Sequence, residues 1–98
     1  MISLEISATI AASKLLEFNQ SKLIFIDHLQ NFEGYVGFKE KAGKIFIMQI
    51  DWESRKTMDA FLDSGDYRFF HGAIITLSKN FNTHIIDDIK DNAYPLKN

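Results

Sequence analysis

The sequence contains no cysteine, a single proline and no long block of one charge. Without cysteine, neither a disulfide framework nor thiolate chemistry is available to the protein. The 11 basic and 13 acidic residues give a net charge of −2, and they form no basic stripe of the kind that neutralises nucleic-acid phosphates. We therefore expect no nucleic-acid partner.

Signals for export and for membrane insertion are also lacking. The first ten residues, MISLEISATI, do not combine a cationic start with an apolar run, as a signal peptide does. The apolar runs of the chain are only a few residues long, whereas a membrane-spanning helix needs roughly 20. The sequence predicts a soluble protein with no membrane partner and a cytoplasmic location.

Apolar bulk is what the sequence has in excess. Hydrophobic residues make up 46% of its 98 positions, and nine of them are phenylalanine. A chain of this length buries only roughly 60–65% of the surface that its unfolded form exposes. Since large exposed apolar patches usually mark interfaces, we expect a homodimer. The length predicts one domain, placed at residues 1–90, with 91–98 as a polar tail.

Hydrophobic periodicity predicts a strand and then a helix in the first third of the chain. Apolar and polar residues alternate strictly from Ile2 to Ile10, which is typical of a half-buried strand. From Ala12 the apolar spacing changes to three- and four-residue steps, which predicts a helix that is capped by Ser13 and ends near Gln30.

The next segment is predicted to form a β-hairpin. Residues 33–41 and 44–52 have the composition of strands, and a glycine-containing turn at 41–44 joins them. The IFIMQI core of the second strand is nearly apolar on both faces, as in strands that are covered on both sides. Helices supply one cover, and a second subunit is our candidate for the other.

A broken helix and a last strand complete the predicted order. Ser54 is expected to cap a helix that breaks at residues 64–65 and resumes over 67–77. A polar loop at 78–80 then leads to a strand near Thr83 to Ile89. The order β-α-β-β-α-β predicts the α+β class and the ferredoxin-like fold with an antiparallel sheet.

Several short motifs resemble the antibiotic biosynthesis monooxygenase superfamily over roughly residues 2–89. The resemblance implies a dimeric α+β barrel with a pocket in each subunit, between the sheet and the second helical region. It also implies one of several activities, because members oxygenate anthrones or quinols without metal or flavin, degrade haem, act on small signalling molecules or have no known activity. The motifs are Trp52-Glu-Ser54, Met58-Asp-Ala-Phe-Leu62, Ser64-Gly-Asp-Tyr67, Phe70, Gly72, Ala73 and Leu77, preceded by Phe-Glu-Gly-Tyr at 32–35.

Cofactor-free oxygenation needs a substrate that supplies the electrons, such as a quinol or an enol. The protein must then provide a dry aromatic cavity, a base near neutral pH and a donor for the developing oxyanion. His71 is the candidate base, Tyr67 and Trp52 are candidate donors, and Phe61 and Phe70 are candidate walls. The alternative is that these rings are core aromatics and that His71 bonds a backbone carbonyl. The leading hypothesis is a dimeric, cofactor-independent, monooxygenase-like protein that oxidises a small aromatic ligand, a quinol or an enol, and needs no cofactor.

A second hypothesis is a non-catalytic dimer that binds a small ligand or haem. The haem-degrading branch uses an axial histidine in the second helical region, a tryptophan about ten residues earlier and an asparagine in the first strand. Of these, the sequence matches only the histidine, as His71, while Phe61 stands at the tryptophan position and Ser7 or a neighbour at the asparagine position. Haem binding stays open and haem degradation is disfavoured. A third hypothesis is a purely structural dimer with a filled core.

The remaining titratable residues are interpreted as surface features. The histidines show no metal-ligand spacing, so no metal site is expected. His28, near the end of the first helix, would complement the helix dipole when protonated. His84 would share one strand face with Asp88, as a solvated pair. Three aspartates recur at helical steps and are interpreted as the wet face of a helix: Asp59, Asp63 and Asp66.

Overall fold

The computed structural model describes residues 1–41, 43 and 45–87. Its four strands form one antiparallel sheet in the order β2-β3-β1-β4. In chain order, the elements are β1 (Ile2–Ile10), a 3₁₀ turn (Ala12–Lys14), α1 (Leu15–Leu29), β2 (Tyr35–Lys41), β3 (Ile45–Trp52), α2 (Arg55–Leu62), α3 (Gly65–Leu77) and β4 (Ser78–Asp87).

This arrangement confirms the predicted α+β class and the ferredoxin-like order. Strand β2 begins at Tyr35, two residues later than predicted, and the second helical region is divided into α2 and α3. The homodimer and the domain boundary at residue 90 stay predictions. The predicted tail at 91–98, the strand end at 88–89 and two residues of the turn at 41–44 lie outside the described residues.

The alternation of β1 builds the core against the helices. In the antiparallel register Leu4 lies opposite Ile50, and Ile6 lies opposite Met48. All four of these side chains are buried. Because side chains alternate across a strand, the polar residues between them point to the other face of the sheet. The helices add further buried apolar side chains to the same core: Phe18, Phe25 and Leu29 from α1, Met58 and Phe61 from α2, and Phe70, Ile74 and Leu77 from α3.

The predicted cap of α1 is wrong. Ser13 lies within the 3₁₀ turn, and Lys14 occupies the N-cap position without a side-chain cap bond. The backbone N–H of Leu15 donates to the carbonyl of Ala12, so the tight turn satisfies one of the early N–H groups that the Ser13 hydroxyl was expected to serve. Ser54 does cap α2, since its Oγ accepts from the Thr57 N–H at 3.2 Å.

The predicted loop at 78–80 is also wrong, because β4 begins at Ser78, directly after α3. Asn80 has a φ of 57°, and the β1–β4 register shifts between Ser7 and Thr9. Asparagine tolerates the left-handed region, and a bulge places an extra residue in one strand without ending the pairing. The polar segment is therefore the bulged start of a ten-residue strand.

The sheet face away from the helices is partly apolar and partly polar along β3. Ile45 and Ile47 lie on this face, and Gln49 and Asp51 follow them. Ser3 on β1 donates from Oγ to Asp51 Oδ1 at 2.6 Å, and Gln49 Nε2 donates to the same oxygen at 3.1 Å. We call this surface the open face. Within the part of the chain that the structure describes, no helix is long and apolar enough to cross a membrane.

Candidate functional site

The break between α2 and α3 positions the candidate base. Ser64 caps α3 by accepting the backbone N–H of Tyr67 at 3.2 Å. Tyr67 and His71 then lie one helical turn apart, with ring centroids separated by 5.8 Å. On its other side, His71 meets the edge of Phe81 on β4 at 4.9 Å. The imidazole is half-buried between α3 and the outer strand.

The five residues predicted for the site lie together in the structure. Trp52 contacts Phe61 at a centroid distance of 4.7 Å, and Phe61 meets Tyr67 at 5.3 Å. Phe70 joins them through Phe25, which stacks on Phe70 at 3.9 Å and lies 5.8 Å from Phe61. We refer to the five as the aromatic cluster: Trp52, Phe61, Tyr67, Phe70 and His71. Its role as a site stays a prediction.

The members of the aromatic cluster differ in accessibility. Trp52, Phe61 and Phe70 are completely buried and belong to the core. Tyr67 and His71 are only half-buried. A ligand that approaches the cluster would therefore meet Tyr67 and His71 first, and it would reach the three buried rings only if side chains moved.

Burial affects two polar groups of the aromatic cluster, the hydroxyl of Tyr67 and the indole N–H of Trp52. Burial raises the pKa of Tyr67 above its ordinary value of 10.0, so its hydroxyl is a neutral donor at physiological pH. The indole Nε1 of Trp52 is buried and has no hydrogen-bond partner among the described residues. An unpaired buried N–H costs about 1–3 kcal/mol, so this atom needs a reason to be retained.

His71 itself is surrounded by rings. Over residues 1–41, 43 and 45–87, its aromatic contacts are with Tyr67 and Phe81, and it makes no hydrogen bond. The alternative in which His71 bonds a backbone carbonyl finds no support in this part of the chain. An imidazole without a fixed partner keeps both nitrogens available to a ligand.

The other titratable side chains form no metal centre in the region described. No group of three or more His, Asp or Glu side chains comes together there. His84 lies opposite Glu5 in the register of β1 and β4, and the expected pairing of His84 with Asp88 falls outside the described residues.

Sequence reasoning missed a concave surface between α1 and α3. This α1–α3 groove has a volume of about 310 Å³. A histidine on α1 and an aspartate on α3 meet at its edge, with His28 Nδ1 3.1 Å from Asp66 Oδ1. The two residues are 38 positions apart, so no local pattern could have paired them. The groove is lined by Ile24, Phe25, His28, Asp66, Phe69 and Phe70.

Comparison with known proteins identifies the class by its fold. No protein-family model matches the sequence, and no curated protein matches it. Solved structures do match. A candidate antibiotic biosynthesis monooxygenase from Deinococcus radiodurans has a TM-score of 0.80 and 11% identity, with 89% of this chain and 91% of that chain covered.

Two further structures show the same fold. SnoaB, a cofactor-independent oxygenase from Streptomyces nogalater, has a TM-score of 0.76 and 11% identity over 88% of this chain and 90% of its own. A conserved protein from Methanosarcina mazei Go1 has a TM-score of 0.76 and 16% identity, covering 88% and 92%. The chain therefore has the fold of the antibiotic biosynthesis monooxygenases, and the predicted resemblance is confirmed at that level. Fold does not carry activity with it.

Proposed function

We propose that the protein is a cofactor-independent, monooxygenase-like enzyme that oxidises a small aromatic quinol or enol. The observation that carries this proposal is the position of His71. Its imidazole is half-buried and contacts Tyr67, which in turn contacts the buried ring of Phe61. The similarity in fold to SnoaB, a cofactor-independent oxygenase, supports the class of reaction.

The chemistry assigns a separate task to each accessible residue. His71 would take a proton from the substrate carbon or hydroxyl, which leaves an electron-rich anion. The anion would pass one electron to dioxygen, and recombination of the substrate radical with superoxide would give a peroxide anion. This anion would take back the proton from His71 and become a hydroperoxide. On a CH₂ substrate, the remaining C–H hydrogen and the distal OH group would then leave as water, so that a CH₂ group and O₂ become a carbonyl and H₂O. Tyr67, neutral because burial raises its pKa, would donate a hydrogen bond to the developing oxyanion.

The homodimer is part of the same proposal. On the open face, Ile45 is more than half exposed and Ile47 lies beside it on β3. Exposed isoleucines on a sheet favour cover by another apolar surface. A second copy, packed sheet to sheet, would bury both residues and close the barrel that the fold family implies.

Oxygen uptake with an anthrone and with a naphthoquinol tests the activity. The wild-type protein should consume oxygen in step with substrate loss, and His71→Ala should slow the reaction by about 10²–10⁴-fold, the usual contribution of a general base. His84→Ala is the matched control, because it removes an exposed imidazole on β4 and should leave the rate unchanged.

Two results would remove the enzyme hypothesis. One is the absence of protein-dependent uptake across both substrate classes. The other is equal rates for the His71→Ala and His84→Ala variants, which would mean that the imidazole of His71 takes no part in proton transfer.

A non-catalytic dimer that binds a small ligand or haem is the second candidate. It is favoured by His71, which is half-buried and makes no hydrogen bond in the part of the chain that the structure describes. The complete burial of Trp52, Phe61 and Phe70 instead favours the third hypothesis, a purely structural dimer with a filled core. Titration with hemin distinguishes haem binding from the binding of another small ligand. A Soret shift that disappears in His71→Ala supports haem binding through this residue, and an unchanged spectrum excludes it.

A further inference from the structure

The α1–α3 groove has the size and lining of a small-molecule site. Its floor is the parallel stack of Phe25 and Phe70, with centroids 3.9 Å apart and planes within 4°. Ile24 and Phe69 form its walls and remain 53% and 66% exposed. Ligand sites are typically concave, mostly apolar and about 300–1,000 Å³, with a few polar groups that fix orientation. At about 310 Å³ this groove suits a molecule of one or two rings.

The polar groups of the groove are a histidine and the aspartate that it contacts. The Nδ1 atom of His28 lies 3.1 Å from Asp66 Oδ1. Because an ionised carboxylate can only accept, the hydrogen of this bond resides on Nδ1. In the neutral imidazole, Nε2 is then an acceptor, and the carboxylate orients the ring. The arrangement leaves one directed acceptor beside an aromatic floor.

Stability alone gives little reason for this arrangement. The side chains of His28 and Asp66 are 44% and 46% exposed, and exposed pairs contribute little to folding. The exposed ring of Phe69 adds apolar surface in water at the same place. A ligand that covers Phe69 and uses the oriented acceptor would account for both features.

We propose that the α1–α3 groove binds a small phenol, with its ring against Phe69 and the stacked floor and its hydroxyl donating to His28 Nε2. The six lining residues include no lysine or arginine, so a carboxylate or phosphate would lack a counter-charge and would face Asp66. The carboxylate of Asp66 is already engaged by His28, which leaves it less available to a cationic ligand. The groove opens at the surface and shares only Phe70 with the aromatic cluster, so the proposal does not depend on the enzyme hypothesis.

Binding of 2-naphthol, compared with 2-methoxynaphthalene, tests the proposed hydrogen bond. The two probes share their rings, but only the naphthol has a hydroxyl hydrogen to donate. We expect naphthol to bind the wild-type protein at least tenfold more tightly. Its addition should shift the imidazole NMR signals of His28 and leave those of the other two histidines in place.

Affinity measurements on variants test where the naphthol binds. His28→Ala and Phe69→Ser should each weaken naphthol binding about tenfold or more, whereas His84→Ala, on β4, should not change it. Two outcomes overturn the proposal: equal affinity for the two probes, or ligand-induced shifts at His71 in place of His28. The comparison of probes uses the unmodified protein, so it decides the matter even if a variant fails to fold.

Discussion

Gly34 is the position where one added methyl group should harm the fold most clearly. Its φ is +79°, and an added Cβ would lie 2.5 Å from the Thr57 Cβ and 2.6 Å from the Thr57 Cγ2. Thr57 cannot easily withdraw, because it forms a capping box with Ser54 at the start of α2. The carbonyl of Gly34 also accepts the backbone N–H of Glu53 at 2.8 Å, which fixes the turn to the end of β3.

The cost of Gly34→Ala follows from these two constraints. A left-handed conformation costs an ordinary residue roughly 1–2 kcal/mol. Overpacking against a fixed neighbour adds about 1–3 kcal/mol. The sum, roughly 2–5 kcal/mol, is a large part of the 5–15 kcal/mol that stabilises a typical domain. Because 1 kcal/mol lowers Tm by about 4–8 °C at this size, we expect a drop of at least about 8 °C.

Urea unfolding followed by tryptophan fluorescence measures the effect. Trp52 is the only tryptophan and is completely buried, so its emission reports loss of the core. Gly37→Ala is the matched control, because an added Cβ there meets nothing within 4 Å. Since alanine is preferred over glycine inside a strand by roughly 0.5–1 kcal/mol, the control should be neutral or slightly stabilised.

The comparison has a clear negative outcome. If Gly34→Ala and Gly37→Ala unfold at the same urea concentration, the Thr57 side chain does not restrict the turn before β2.

Two further predictions concern pH and assembly. Burial raises the pKa of Tyr67 above its ordinary 10.0, so this residue stabilises the fold fully below pH 10, and the contribution is lost as pH rises through the folded-state pKa. Urea midpoints should therefore begin to fall near pH 10, and Tyr67→Phe should make this fall less steep. Equal slopes in the two proteins would contradict the assignment. Ile47→Lys places a charge on the open face, and light scattering should then detect monomers. The control, Leu16→Lys at an exposed position of α1, should leave the dimer intact. A wild-type monomer in dilute solution would remove the dimer hypothesis.

Local chemistry in the sequence was enough to predict most of the fold. The strict alternation of β1 predicted its bounds, Ile2 to Ile10, because a strand exposes successive side chains to opposite faces. Ser54 predicted where α2 begins, because a serine hydroxyl can satisfy early helical N–H groups. The pair at 64–65 predicted the break between α2 and α3, although α3 begins at Gly65, two residues before the predicted resumption at 67. These signals act over three to four residues, so the neighbouring sequence is sufficient to determine where these elements begin.

The candidate sites were predicted only where their members are close in sequence. Tyr67 and His71 share one helical turn, and their contact follows from the helix period. The lack of a partner for Trp52 Nε1 could not be predicted, because it depends on which groups from other elements surround the indole. The start of β4 could not be predicted either. The strand tolerates the left-handed conformation of Asn80 because its pairing with β1 continues on both sides of this residue.

By itself the sequence determined the order of the elements, the core-facing side of β1 and the concentration of rings around the break at residues 64–65. The tertiary structure alone decided that His28 meets Asp66, and that an apolar groove lies beside them, between α1 and α3. Helix packing brings together residues whose separation along the chain carries no periodic signal. Such contacts depend on how the helices pack in the whole molecule, so they cannot be predicted from the local sequence.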